Sequence, residues 1–102
     1  MKTTPLGEVL LAAPGVDWSA SLYLPPETRW DPHTASQIVK TDRYTLEPLE
    51  AVAPGLVRVA SLGDANDAVL NARAQVADPS AAQLVEALRY FLTRDAFITF
   101  KK

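Results

Sequence analysis

Seven of the eight prolines lie at or before Pro54, and the long apolar stripes at helical spacing all lie after it. A proline ring fixes φ and removes an amide donor, so the first half can supply only short extended elements and loops, whereas the second half is free to form helices. No Gly/Ser linker, internal repeat, low-complexity tract or long run of like charge separates the halves. Residues 1–102 are therefore read as a single domain. With 48% hydrophobic and 22% charged residues, the composition is that of an ordinary globular chain. Folding at this size buries about 60–70% of the surface that the unfolded chain exposes, enough for one core.

Thr4 followed by Pro5 reads as a helix N-cap and first turn, with Leu6, Val9, Leu10 and Ala13 on one helical face before Pro14 and Gly15 stop it. A strand is expected over residues 21–24, where Leu22 and Leu24 share a face and Pro25-Pro26 close the element. A second is expected from about 35 to 41, around the β-branched Ile38 and Val39. Leu49, Val52 and Ala53 after Pro48 suggest one helical turn, ended by Pro54-Gly55. Residues 56–60 alternate as a strand, with Leu56, Arg58 and Ala60 on one face and Val57 and Val59 on the other, placed within the sheet.

Ser61 then offers an N-cap, with Asp64 in the first turn and Leu62, Ala65, Val69, Ala72 and Val76 on one stripe. Another helix restarts at Asp78-Pro79-Ser80, with Ser80 and Gln83 at capping-box spacing as an alternative start. Ala81, Leu84, Val85, Leu88, Phe91 and Leu92 form its apolar face, and residues 97–100 (Phe-Ile-Thr-Phe) have strand content. This order implies an α+β fold: a small mixed or antiparallel sheet of about four strands with three helices packed mainly on one face.

The chain carries little with which to do chemistry: no Cys, one His, four Gly and one Met. No nucleophile elbow, phosphate loop or metal-ligand cluster stands at a diagnostic spacing, so no cofactor and no metal are expected. A formal net charge of −2 gives no positive field to neutralise phosphates, which disfavours nucleic acid and anionic membrane as partners. The first turns superficially resemble a signal peptide, but Glu8 cuts the apolar run short, and no stretch reaches the ~18 apolar residues of a membrane span. A cytoplasmic location is the expectation, since the chain lacks the disulfide framework of many small secreted domains.

Recognition chemistry concentrates in residues 25–33, which hold Arg29, Trp30, Asp31 and the single His33. Trp30 can serve as a desolvated anchor flanked by orienting charges, or fold back over a sheet edge while Asp31-Pro32 start a turn. Asp31 and His33 are too few for a zinc site, which takes three or four protein ligands. General acid/base use of His33 with Asp31 or Asp42 lacks an oxyanion loop to accompany it. Asp42, Arg43 and Tyr44, beyond the second strand, are candidate neighbours of this loop. Tyr90 is expected on the outer face of the last helix with Arg94 near it, and Trp18 and Tyr23 at the core.

Residues 21–25 (Ser-Leu-Tyr-Leu-Pro) followed by Trp30, then 71–75 (Asn-Ala-Arg-Ala-Gln), 87–91 (Ala-Leu-Arg-Tyr-Phe) and 95–98 (Asp-Ala-Phe-Ile) resemble a family of small, uncharacterised bacterial proteins, immunity-type or accessory in character. That resemblance implies no catalytic residue. The expected function is non-enzymatic binding of an as yet unidentified protein partner, in an immunity or adaptor role, through Arg29, Trp30, Asp31, His33, Asp42, Arg43 and Tyr44. A small-molecule-binding protein or small enzyme using His33 and nearby acids is the alternative, and a homodimer with a structural role is another.

Overall fold

The computed structural model describes residues 3–12, 19–26 and 29–94. In chain order its elements are β1 (Thr4–Pro5), α1 (Leu6–Leu11), β2 (Ala20–Leu24), β3 (Ala35–Lys40), β4 (Val57–Ser61), α2 (Leu62–Gln75) and α3 (Ala81–Arg94). The strands form one sheet in the order β1-β3-β2-β4, every pair antiparallel. This is the expected α+β class with an antiparallel sheet of four strands and three helices.

β2 is buried along its whole length, which follows from its central place and from cover on both faces. On one face Leu22 and Leu24 join Leu6, Leu10, Val69, Leu84 and Leu88 in the main core under the helices. On the other, Ser21, its β3 partner Val39, and Tyr23 are equally enclosed. There the Arg58 Nε–H donates to Ser21 Oγ (2.9 Å), and Ser21 shares a hydrogen bond with Thr41 Oγ1 (3.1 Å). A buried hydroxyl pair is tolerated because each oxygen is partnered.

Among the described residues β4 pairs with β2 and has no second neighbour. The pairing also slips: Leu22 faces Ala60 but Tyr23 faces Arg58. Val59 is thus the extra residue of a bulge, and Ala60 and Arg58 fall on opposite faces. Val59 packs against the helical core while Val57 is 44% exposed.

Thr4 does not cap α1. Thr4 and Pro5 pair with Ser36 and Ala35, and Pro5 occupies the N-cap position with no side-chain bond. The orphan amides at the helix start find other acceptors: Leu6 N–H donates to Thr34 O (2.8 Å) and Gly7 N–H to Pro32 O (2.9 Å). α1 ends at Leu11; Pro14 and Gly15 lie outside the described residues.

The two long helices start where their caps dictate. Asp64 N–H donates to Ser61 Oγ at the start of α2. At α3, Gln83 N–H donates to Ser80 Oγ (3.2 Å) while Ser80 N–H donates to Gln83 Oε1 (2.9 Å), a reciprocal capping box that makes Ser80 the N-cap. The stripe Leu62, Ala65, Val69 and Ala72 is buried, as are Leu84, Val85 and Leu88.

No helical turn forms at residues 49–53. β1 covers only the first two residues of β3, so the edge beyond it needs partners, and that demand overrides the local apolar spacing. Thr41 bridges Pro48, Leu49 N–H donates to Lys40 O (2.8 Å), and Lys40 N–H donates to Glu50 Oε1 (2.8 Å). The Gln37 amide clamps the next stretch by donating to Ala51 O and accepting from Ala53 N–H, both at 2.8 Å. The strand expected at 97–100 lies outside the described residues.

Gly7 is the tightest point of this assembly. A Cβ there would stand 2.9 Å from Pro32 Cβ, 3.1 Å from Pro32 O and 3.1 Å from Ala81 Cβ. A proline ring and a carbonyl cannot swing aside. Gly7→Ala should therefore lose more to overlap than the ~1 kcal/mol it gains in helix propensity, for a net destabilisation of about 1–2 kcal/mol in urea titration. Equal or greater stability of the variant would show that α1 can lift from the 31–34 turn at no cost.

Candidate functional site

The chain leaving β2 builds one end of the molecule. Trp30 is half-buried against the core, and its indole N–H donates to Pro25 O (2.9 Å). That bond fixes the ring as a cover over the core margin, with one side left to line a groove. Asp31 follows with its carboxylate turned into the backbone: Oδ1 accepts from His33 N–H (2.7 Å), while Asp31 N–H donates to Thr34 Oγ1 (2.8 Å). This is the Asx-type turn whose carbonyls receive the start of α1. His33 is exposed in this turn.

The groove beside Trp30 has a volume of about 690 Å³, and Arg29, Trp30, Val59, Arg89, Leu92 and Arg94 are among its walls. The bulge that turns Val59 toward the helices and the last turn of α3 bring these residues together. Arg94 Cζ stands 5.7 Å from the centroid of the Tyr90 ring, a cation–π distance. Sequence reasoning reached Arg29 and Trp30 but missed Arg89, Leu92 and Val59. Their signal was hidden because Leu92 reads as core and Arg89 as solvated helix surface until β4 is placed against them.

Asp42, Arg43 and Tyr44 lie elsewhere. β2 and β3 run antiparallel with Ala20 opposite Lys40 and Tyr23 opposite Gln37. Residue 42 thus extends past the Ala20 end of the sheet, whereas Arg29, Trp30, Asp31 and His33 belong to the Leu24 end. The two groups of expected site residues are separated by the strand length, about 15 Å at 3.3 Å per residue, and do not form one patch.

Residues 42–47 form a closed knuckle. Asp42 N–H donates to Glu47 O (2.8 Å) and Leu46 N–H to Asp42 O (2.9 Å). The Asp42 carboxylate accepts from Tyr44 N–H (2.8 Å) and Thr45 N–H (3.0 Å) through Oδ1. Leu46 closes the loop with φ 62°, the left-handed region that glycine normally occupies. Tyr44 is 86% exposed, Leu49 66% and Leu46 44%. Leu49 was expected in a helical turn with Val52 and Ala53, and that apolar spacing concealed its place at the surface; Leu46 carried no expectation.

Residues 3–100 match the family model described as a domain of unknown function (DUF7716). The chain belongs to the DUF7716 family. No curated protein and no solved structure matches it. Membership agrees with the small uncharacterised family that the sequence resembles. Among the described residues of this DUF7716 chain, no three His, Cys, Asp or Glu side chains gather as a metal site would require. No described helix is long and apolar enough to cross a membrane.

The amide bonds from Thr45 and then Tyr44 hold the Asp42 carboxyl below its ordinary pKa. A depressed folded pKa means that the turn's contribution to stability is fully present above the unfolded value and fades as pH falls through the folded one. In an NMR titration, the Tyr44 and Thr45 amides should therefore move with a midpoint below the ~3.9 of an unperturbed aspartate. A midpoint at or above it would mean that the carboxylate does not hold the knuckle.

Proposed function

We propose that this protein works by binding another protein, without catalysis, in an immunity or adaptor role in a bacterial cytoplasm, and that the 42–47 knuckle, with Leu49 beside it, is its contact surface. The observation that carries the reading is Tyr44, 86% exposed at the tip of a loop whose backbone is closed by hydrogen bonds. A rigid exposed tyrosine offers a large contact area at small cost in conformational entropy, the property that concentrates binding energy in a few aromatic residues. Leu46 and Leu49 extend the apolar surface beside it.

Strain supports the same reading. A left-handed leucine costs about 1–2 kcal/mol relative to an ordinary conformation, yet Leu46 is half exposed and does not repay this by full burial. The polar groups near His33 offer less to a reaction: Asp31 is engaged in its turn, and the buried Ser36 hydroxyl donates to Thr4 O (2.6 Å).

Incorporating a photo-crosslinking phenylalanine at position 44 tests the reading in cells of the source organism. It should yield one discrete adduct, suppressed by excess wild-type chain and not by Tyr44→Ala. Tyr44→Ala should weaken partner binding about 30-fold or more while shifting stability by no more than ~0.5 kcal/mol. Leu46→Gly should keep or raise thermal stability while also weakening binding. Adducts no different from those of a crosslinker placed at Ala82 would overturn the assignment.

A further inference from the structure

We infer that the groove between Trp30 and the end of α3 is a second binding site, for an acidic peptide segment with apolar side chains between its carboxylates. The proposal is independent of the knuckle, which lies past the other end of the sheet.

Three guanidinium groups, Arg29, Arg89 and Arg94, line this one concavity, and its described walls include no acidic side chain. The arrangement is local and not a property of the chain, whose formal net charge is −2. The C-terminus of α3 contributes roughly half a negative charge, which the guanidinium groups of Arg29 and Arg94 outweigh. Arginine suits the role because its planar fork binds a carboxylate through two parallel hydrogen bonds.

Between the arginines the wall is apolar, made by Trp30, Val59 and Leu92. A bare inorganic anion would leave that surface unused, whereas a peptide with a leucine or phenylalanine beside its carboxylates covers it. Among the described residues the groove is open along one side, which suits a chain that continues in both directions. Trp30 is already seated by its bond to Pro25 O, so little ordering is required of that wall on binding. Glu27 and Asp95, adjacent in sequence to Pro26 and Arg94, lie outside the described residues.

The test is a ¹H–¹⁵N NMR titration of the wild-type chain with a capped peptide alternating Glu and Leu, beside its Gln-for-Glu counterpart and benzoate. The acidic peptide should shift the Trp30 indole N–H and the amides of residues 89–94 and leave those of 42–49 unmoved. Its affinity should exceed that of the counterpart and of benzoate at least tenfold, and should fall at least tenfold from 50 to 300 mM salt. The double variant Arg29→Gln, Arg94→Gln should lose at least tenfold in affinity with its thermal transition unchanged. No groove shifts at millimolar peptide, equal shifts with the uncharged counterpart, or equal affinity for benzoate would overturn the proposal.

Discussion

Two backbone hydrogen bonds, Leu6 N–H to Thr34 O and Gly7 N–H to Pro32 O, join the start of the chain to the turn between β2 and β3. A six-residue helix has no independent stability in water, so α1 exists because its first amides and its apolar face are both received by the rest of the molecule. Leu6 and Leu10 are fully buried there, and Ala81 at the start of α3 closes over Gly7. The same turn fixes the direction in which Trp30 enters the core margin. The position of the arginine-lined groove thus depends on this splice, which leaves no room for a single methyl group.

The two aspartates that drew attention as recognition residues serve the backbone. Asp31 and Asp42 each accept amides two or three residues ahead and so shape the chain that presents their neighbours. In the proposed function, specificity rests on side chains that the backbone has no use for: Tyr44 at one end, and Arg29 and Arg94 at the other. Polar residues facing the sheet follow the same economy. Gln37 and Glu50 satisfy backbone groups of the 37–53 region, where regular pairing stops.

Much of the helical half was legible because its determinants are local. Ser61 caps α2, Ser80 and Gln83 form the box that starts α3, and the buried stripes follow the 3.6-residue period. β2 and β3 were readable for a similar reason, since Pro25-Pro26 and the β-branched pair Ile38-Val39 mark them. What escaped was set by distant partners. Thr4-Pro5 becomes a strand because Ala35 and Ser36 offer an edge, β4 carries a bulge at Val59, and 49–53 extends to serve Lys40 and Gln37. The candidate residues could not be grouped from the sequence, because only strand pairing shows that Trp30 and Tyr44 belong to opposite ends.

The central claim is that both recognition surfaces are held in place before any partner arrives. ¹⁵N relaxation on the unbound chain tests it directly. The account predicts backbone order parameters near 0.85 for Tyr44, Thr45 and Leu46 and a comparably rigid Trp30 indole N–H, matching the centre of β2. Values below about 0.6 at those positions would mean that the knuckle and the groove wall are flexible in the free protein, and would contradict it.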